Sequence, residues 1–216
     1  MVEISHYSKE VVNICRKIYN NQLVKQGEGN VSIRIPNQNA MIITPSENDY
    51  ENLSEDNMIH MDFDGVVLQG KLKPSSEHIM HCYIYRKRPK VNCIIHTHSP
   101  NVSILSVLHN DLPIIFEEMA MLLGGSVKCS KFAQAGTEEL PKVAIKAMKK
   151  QNTVILANHG LLVVGRTSEY CVKTAVIIEK MVNIFLNAKK IGDVKVISTD
   201  NQKKFIEIFD ARYSTY

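Results

Sequence analysis

The chain has 216 residues, of which 44% are apolar, and this is enough to build one hydrophobic core. Its formal net charge of +4 comes from 26 basic and 22 acidic residues that are interleaved, a pattern typical of a solvated surface rather than a nucleic-acid-binding face. No apolar run approaches the roughly 18 residues of a membrane span, and the first residues lack a signal-peptide pattern, so we expect one cytoplasmic domain over 1–216 with no membrane partner.

The first half of the chain predicts a helix followed by locally connected strands. The predicted elements are a helix over 8–25, strands over 31–35 and 40–44, and a hairpin of residues 59–63 and 66–68. Apolar residues recur at helical spacing in the first segment, with Ser8 as the candidate cap, and at every second position in the strand after it. Asp64-Gly65 in the hairpin favours a type I′ turn.

The second half predicts helices that alternate with short strands. The predicted elements are a helix over 74–88, a strand over 91–98, a helix over 101–109, a strand near 113–116, a helix ending at Gly124-Gly125, a strand near 127–132, a helix from Thr137 to Lys150, strands over 153–157 and 161–165, and helices over 167–190 and 199–210. Helices at both ends and between hairpins predict a three-layer α/β/α fold around a mostly antiparallel sheet of seven or more strands.

The cysteines are odd in number, widely spaced and mostly within apolar segments. They are Cys15, Cys82, Cys93, Cys129 and Cys171, and no Cys-x-x-Cys pair occurs. This usage predicts free, mostly buried thiols in a reducing compartment.

Two histidines one residue apart lie at the end of an apolar run. His96 and His98 share one face of the predicted strand, roughly 7 Å apart at about 3.3 Å per residue, so both imidazoles can reach one metal ion. Pro100 cannot donate to a sheet ladder, which places the pair where the strand ends. Taken alone, the pair also fits two incidental strand-end histidines.

Two further residues are candidates to complete a metal site. His159, between two apolar strands and before Gly160, can project from a strand end, although it equally fits a turn histidine bonded to the backbone. Glu77 lies in the first turn of a predicted helix, whose positive end favours the carboxylate; the alternative is an ordinary helix-start glutamate. Three histidines and a carboxylate predict a zinc site with an exchangeable position, which can act as a Lewis acid on a carbonyl.

The remaining histidines have simpler predicted roles. His81 follows Glu77 by four residues on the same helix face and is predicted to be a core residue or to support the site. The others are predicted at the surface or in loops: His6, His60, His78 and His109.

Three segments rich in hydroxyl and amide donors predict an anion site. They are 27–32, Thr44-Pro45-Ser46 and Ser75-Ser76. The last pair begins a helix, where unpaired N–H groups attract phosphate, although simple helix capping also explains it. The positive net charge suits a small phosphorylated substrate.

Six motifs occur in the order that characterises one family. They are Gly-x-Gly-Asn-Val-Ser at 27–32, Ile-Thr-Pro-Ser at 43–46, Pro-Ser-Ser-Glu-x-x-x-His at 74–81, His-Thr-His-Ser-Pro at 96–100, Gly-Thr-x-Glu-Leu at 136–140 and Ala-Asn-His-Gly at 157–160. On these residues, nearly the whole chain resembles the class II aldolase and adducin-head family, in its branch of fuculose-phosphate aldolases and ribulose-phosphate epimerases.

The resemblance implies roles for individual residues. In aldolases of this family, the positions that match His96, His98 and His159 bind zinc, and the position that matches Glu77 is both a metal ligand and the catalytic base. The positions implied to bind the substrate phosphate are Asn30, Ser46, Ser75 and Ser76. The family also implies the class II aldolase fold and a homotetramer with its site at a subunit interface.

The reaction implied by the resemblance is cleavage of a ketose 1-phosphate, similar to L-fuculose 1-phosphate, to dihydroxyacetone phosphate and an aldehyde through a metal-stabilised enediolate. Glu77 stands where the epimerases have aspartate, which favours the aldolase. The alternatives are an epimerase, dehydratase or decarboxylase on the same scaffold. A non-catalytic adducin-like interaction domain is disfavoured because it has no need of the full set of metal ligands.

The sequence departs from the family pattern in two places. Glu47 replaces a glycine that is common after the Thr-Pro-Ser turn, and it puts a negative charge near the predicted phosphate. Where fuculose-phosphate aldolases have a tyrosine that serves as an acid, this chain reads Phe116-Glu117-Glu118, so Glu117 and Glu118 are candidate acid/base groups. A second family tyrosine, near the C-terminus, is matched by Tyr213.

Overall fold

The fold consists of seven α-helices and seven strands among residues 4–47 and 49–216, which are the residues described by the structure, a computed structural model. The helices are α1 (Ile4–Asn20), α2 (His78–Lys87), α3 (Pro100–Val107), α4 (Glu117–Leu123), α5 (Glu139–Met148), α6 (Ser168–Ile191) and α7 (Thr199–Arg212). The strands are β1 (Asn30–Arg34), β2 (Ala40–Ile43), β3 (Ile59–Asp62), β4 (Val67–Gln69), β5 (Cys93–Thr97), β6 (Thr153–Leu156) and β7 (Gly160–Gly165).

The strands form one sheet in the order β4-β3-β2-β1-β5-β7-β6, and every neighbouring pair in this sheet is antiparallel. The register places His96 of β5 between Asn30 of β1 and Leu162 of β7. The prediction of a mostly antiparallel sheet with seven or more strands is therefore confirmed.

Both faces of the sheet are buried, as the three-layer prediction requires. Along β2, Ala40 and Ile42 join a core cluster with α1, α3, α4 and α6, whereas Met41 and Ile43 join a second cluster with α2 and α5. Alternation of side chains across a strand produces this division. The α/β/α architecture is confirmed.

Helix α1 lies earlier in the chain than the predicted range of 8–25. Ser8, the predicted cap, is instead a buried residue inside the helix. The helix ends at Asn20, and Gln22 has a φ of +59°, which does not continue a right-handed helix. Leu23 lies beyond the helix but is buried. Because this apolar residue falls at helical spacing, the predicted helix is too long at its C-terminal end.

The prediction of a type I′ turn at Asp64-Gly65 is wrong. Gly65 has a φ of +91°, but Asp64 has a negative φ, whereas type I′ needs positive values at both central positions. The N–H of Asp62 donates to the carbonyl of Val66 over 2.9 Å, so the loop contains the three residues 63–65.

Two predicted helix starts also differ from the structure. Helix α2 begins at His78, after the predicted start at 74, and Glu77 is its N-cap residue. Helix α5 begins at Glu139, and the Thr137 hydroxyl donates to the Gln134 carbonyl instead of capping the helix. The start of α6 agrees with the prediction, because the Thr167 side chain accepts from the N–H of Tyr170.

The predicted strands near 113–116 and 127–132 do not form. Leu112 and Val127 make only an isolated antiparallel bridge, and Cys129 makes a single parallel bridge to Ile155 of β6. Residues such as Ile114 and Val127 are apolar because they pack against the core as irregular segments.

The five cysteines are all free, and Cys129 is the one that is not fully buried, so the thiol prediction is confirmed. None of the helices formed by the described residues is long and apolar enough to cross a membrane.

Candidate metal and active site

His96 and His98 lie where β5 ends and α3 begins. His96 is fully buried within the strand, and His98 follows its last residue, Thr97. Ser99 is the N-cap of α3, with Pro100 at the first helical position. A proline suits this position because it has no N–H that would be left unpaired.

His159 reaches the same place from the turn between β6 and β7. Its N–H donates to the Leu156 carbonyl over 3.1 Å, and Asn158 has a φ of +53°, so the hairpin is tight. A Cβ at Gly160 would lie 2.3 Å from the Thr97 carbonyl oxygen. Only glycine therefore allows β7 to begin so close to β5, and this approach brings His159 beside the other two histidines.

The three imidazoles converge on one point. The Nε2 atom of His96 lies 3.0 Å from Nε2 of His98 and 3.2 Å from Nε2 of His159. Among residues 4–47 and 49–216, no other group of three or more histidine, cysteine or acidic side chains brings its ligand atoms together within 4.8 Å. The predicted convergence of the three histidines is present.

The backbone sets the tautomer of His96. Its Nδ1 lies 2.9 Å from the carbonyl oxygen of Leu161, which can only accept, so Nδ1 carries the proton. Nε2 therefore presents a lone pair to the cluster. Ligating histidines are commonly oriented in this way by a carbonyl behind the ring.

Glu77 places its carboxylate against the histidines. Its Oε2 lies 3.3 Å from Nε2 of His96, and its Oε1 lies 3.5 Å from Nε2 of His159. Asn30 donates from Nδ2 to Oε2 over 2.8 Å, whereas the buried Oε1 has no hydrogen-bond partner. The N-cap position of α2 holds the carboxylate at the positive end of that helix.

A divalent cation fits this group of residues. Tetrahedral ligands about 2.0–2.1 Å from zinc are about 3.3 Å apart, which is close to the distances from Nε2 of His96 to the other two Nε2 atoms. The unpartnered Oε1 of Glu77 is the kind of buried acceptor that a cation would satisfy. The residues that would hold the ion are His96, His98, His159 and Glu77.

The ionisation states suit cation binding. Burial lowers the pKa of His96 to about 3 and also lowers the pKa of His159, so both rings are neutral at pH 7. Burial alone would raise the pKa of Glu77, but the facing rings of His96 and His159 and the amide of Asn30 lower it below its usual value. Neutral imidazoles and an ionised carboxylate are the forms that bind metals.

Comparison with known proteins identifies the family. The sequence profile of the Class II Aldolase and Adducin N-terminal domain matches residues 9–186. The chain belongs to this family. It is 32% identical to 5-deoxy-D-ribulose 1-phosphate aldolase of Bacillus thuringiensis serovar kurstaki, over 94% of each chain. It is 29% identical to L-fuculose phosphate aldolase of Escherichia coli strain K12, over 100% of this chain and 97% of that protein.

The fold also agrees with a solved member of the family. An L-fuculose 1-phosphate aldolase structure superposes with a TM-score of 0.90 and 30% identity, covering 95% of this chain and 96% of that one. The chain is thus an enzyme of the class II aldolase type. This family is metal-dependent, and the histidine cluster is where this member could bind a metal.

The segments predicted to bind phosphate lie side by side in this class II aldolase. The N–H of Ser46 donates to the carbonyl of Lys73 over 2.9 Å, and the N–H of Ser75 donates to the carbonyl of Thr44 over 3.1 Å. The Ser46 and Ser76 side chains are exposed, whereas the Ser75 hydroxyl is buried and accepts from the N–H of Glu77. Ser75 therefore stabilises the turn that leads into α2, whose N-cap is Glu77.

Glu47 is exposed and has a φ of +59°. This left-handed conformation is unfavourable for a residue with a Cβ and natural for the glycine that is common at this position in the family. The turn keeps the geometry that a glycine would give it.

Tyr213 does not reach the histidine cluster of its own chain. Its carbonyl accepts from Nδ2 of Asn152, just before β6, whereas His159 follows the other end of that strand. Four strand residues at about 3.3 Å each separate the two ends by more than about 13 Å. Glu118 and Tyr213 line one cavity of about 180 Å³ beside α7. The exposed Glu117, at the start of α4, lines a separate groove beside α7.

His81 is a buried supporting residue, as predicted, and its ring bonds to Asn30 and Ser32. Sequence analysis missed Ser32 and Tyr85 in this role. The available signal was spacing, because Ser32 follows Asn30 by two residues and Tyr85 follows His81 by four.

Of the histidines predicted at the surface, His6 and His109 are exposed and His78 is half-buried at the start of α2. The prediction for His60 is wrong. It lies in β3 and is only 8% exposed, because both faces of the sheet are covered at this position of the strand.

Burial of His81 predicts a pH effect on stability. Burial lowers its pKa to about 4, against roughly 6.5 in the unfolded chain. As the pH falls from about 6.5 towards 4, the unfolded chain takes up a proton that the folded chain does not, so the free energy of unfolding falls by at most about 1.4 kcal/mol per pH unit. Urea unfolding of the metal-free protein at pH 7 and pH 5 should show a smaller loss in His81→Gln than in wild type. Equal losses would contradict this prediction.

Proposed function

We propose that this chain is a metal-dependent aldolase that cleaves a ketose 1-phosphate to dihydroxyacetone phosphate and an aldehyde. The observation that carries the proposal is the convergence of three imidazoles beside the buried carboxylate of Glu77. Three histidines hold a cation and leave a position for substrate, and nitrogen ligands of this kind suit zinc.

A divalent cation held by these residues would supply a Lewis acid for the ketone oxygen of the substrate. Glu77 supplies the base. In the direction of synthesis it takes a proton from the carbon next to the carbonyl of dihydroxyacetone phosphate, and in cleavage it returns that proton. Asn30 occupies Oε2, so Oε1, which would contact the cation when no substrate is bound, is the atom that we assign to the proton. The lowered pKa keeps the carboxylate ionised at neutral pH.

The substrate phosphate is assigned to the donors beside the start of α2. Backbone bonds between the 44–46 and 73–75 segments support this assignment, because they hold the chain at Ser46 beside the chain that leads to Ser75 and Ser76. Asn30 donates one amide hydrogen to Glu77, and the second one is assigned to the phosphate. Helix N-termini are favourable places for phosphate because their N–H groups are unpaired.

The test is a substrate panel with product identification. Metal-loaded protein is incubated with L-fuculose 1-phosphate, 5-deoxy-D-ribulose 1-phosphate and L-ribulose 5-phosphate, and products are identified by NMR. The expected result is dihydroxyacetone phosphate and an aldehyde from a ketose 1-phosphate. An epimer without bond cleavage, loss of water, or loss of carbon dioxide would replace the proposal with an epimerase, a dehydratase or a decarboxylase. No turnover at all would favour an adducin-like interaction domain.

We further propose a homotetramer in which Glu118 and Tyr213 act at the site of a neighbouring copy. The support is their position, since both line a cavity beside α7 and Tyr213 is anchored at the end of β6 remote from His159. Tyr213, placed in this way, can contribute to catalysis only across a subunit interface, and Glu118 is assigned to the same interface because it lines the same cavity.

This arrangement predicts complementation between two defective variants. Glu77→Gln lacks the base, and the double variant Glu118→Gln/Tyr213→Phe lacks the candidate acids while keeping the ring that stacks on Tyr170. If the two variants assemble at random around a head-to-tail ring, about a quarter of the interfaces pair a native Glu77 with a native Glu118 and Tyr213. Co-refolded variants should therefore recover about a quarter of wild-type activity. Activity no higher than that of the separate variants, or a fully active double variant, would contradict the arrangement.

A further inference from the structure

A continuous chain of hydrogen bonds leads from Glu77 into the interior of the protein. Oε2 of Glu77 accepts from Nδ2 of Asn30 over 2.8 Å, and Oδ1 of Asn30 lies 2.6 Å from Nε2 of His81. Nδ1 of His81 lies 2.6 Å from the hydroxyl of Ser32, which lies 2.8 Å from the hydroxyl of Tyr85. Apart from Glu77, which is 7% exposed, no member is more than 2% exposed.

Regular spacing on two elements builds this chain. Glu77, His81 and Tyr85 follow one another at intervals of four residues along one face of α2. Asn30 and Ser32 are two residues apart on β1 and therefore point to the same face of the sheet. The helix and the strand supply alternate members, so the chain follows the line where α2 packs on β1.

Each bond fixes the direction of the next one. A carboxylate only accepts, so the Asn30 amide must present Nδ2 to Glu77 and Oδ1 to His81. Because Oδ1 accepts, His81 must carry its proton on Nε2 and accept at Nδ1. The Ser32 hydroxyl then donates to His81, and Tyr85 donates to Ser32. Every donor in the chain points towards Glu77.

We propose that His81 is a positioning residue, which locks the Asn30 amide so that its N–H group, and not its oxygen, faces Glu77. This inference deepens the proposed function and rests on it for its catalytic consequence. A reversed amide would place Oδ1 against the carboxylate, where two acceptors repel each other. The hydrogen bond from His81 to Asn30 therefore keeps the Asn30 amide on Oε2 of Glu77, so that Oε1 is the oxygen that takes the proton.

The first experiment determines the tautomer of His81 and does not depend on catalytic activity. Long-range proton–nitrogen NMR spectra of protein labelled with ¹⁵N-histidine distinguish the two neutral tautomers, and loss of a signal in His81→Gln assigns it. The expected result at pH 7 is a neutral His81 with its proton on Nε2. A proton on Nδ1, or on both nitrogens, would overturn the inference. In Ser32→Ala the preference for this tautomer should weaken.

The second experiment measures the consequence. Partners behind a ligand or catalytic group typically contribute about 10–100-fold in activity, so His81→Phe should lower kcat by about that factor with metal content unchanged. His81→Gln can donate to Asn30 and should recover much of the loss. Tyr85→Phe should have a smaller effect, since Ser32 keeps its own bond to His81.

The matched control is His60→Phe, which replaces a buried histidine whose Nε2 has no hydrogen-bond partner. If this control lowers kcat as much as His81→Phe does, or if His81→Phe keeps wild-type kcat, His81 has only a structural role and the inference fails. If wild-type protein has the expected His81 tautomer but no aldolase activity, the proposed function is disproved. The positioning of the Asn30 amide by His81 would still be supported.

Discussion

Glu77→Gln is expected to lower kcat by about 10³-fold, within the range of 10²–10⁴-fold that a positioned general base contributes. Glutamine has nearly the same shape, and its oxygen can still accept from Nδ2 of Asn30, so the fold and the histidine cluster should persist. What is lost is the basic oxygen next to His159. The measurement is the rate at which dihydroxyacetone phosphate is released from the ketose 1-phosphate identified by the substrate panel.

Proton exchange isolates the step assigned to Glu77. Wild-type enzyme in D₂O should introduce deuterium into dihydroxyacetone phosphate without any aldehyde present, and Glu77→Gln should not. Glu179→Gln is the control, because the carboxylate of Glu179 accepts from the N–H groups of Asn101 and Val102 at the start of α3 and not from the three histidines. It should lower stability but keep the exchange rate. Exchange at the wild-type rate in Glu77→Gln would exclude this residue as the base.

The elements that sequence reasoning located correctly are those whose pattern is local. Apolar residues at helical spacing place α6 and α7 within a few residues, and the short apolar runs at 153–157 and 161–165 correspond to β6 and β7. The segments 113–116 and 127–132 carry equally apolar residues, but these pack as irregular chain against the core. Composition cannot separate a buried strand from a buried irregular segment, because both remove apolar surface from water.

The candidate site could be predicted only in part, for a related reason. Alternation along a strand shows that His96 and His98 share a face, so the pair is a local inference. The contact between Asn30 and Glu77 depends on the register that pairs Asn30 with His96, and on the packing of α2 against β1. The family motif suggested phosphate binding for Asn30, and the structure adds a hydrogen bond from its amide to the carboxylate of Glu77, which the motif did not suggest. Long-range register is not encoded in any short segment.

Removal of the metal is expected to abolish activity and to destabilise the fold. An ion that binds only the folded chain, present at 100 times its Kd, stabilises it by about 2.7 kcal/mol. For a chain of this size that corresponds to a Tm about 5–11 °C lower after chelation. Elemental analysis of the purified protein should find about one zinc per chain. A chelated protein that is fully active would refute the proposed function.

His98→Ala tests whether the histidines are the ligands. His98 is the half-buried member of the cluster, so its loss disturbs packing less than loss of the fully buried His96. We expect metal content well below one per chain, a Tm close to that of chelated wild type, and activity at least about 10²-fold lower, the larger end of what loss of an ion-supporting residue costs. Added zinc should restore chelated wild type but not the variant.

The control is His6→Ala, which removes an exposed histidine of α1 and should keep both metal and activity. The side chain of His98 contacts Nε2 of His96 through its own Nε2 and does not hydrogen-bond to a backbone group in the part of the chain that the structure describes. A loss of Tm in His98→Ala that chelation of wild type does not reproduce would therefore indicate damage to the fold rather than loss of an ion. Equal Tm values in the two samples would show that the imidazole stabilises this corner of the sheet by binding a cation.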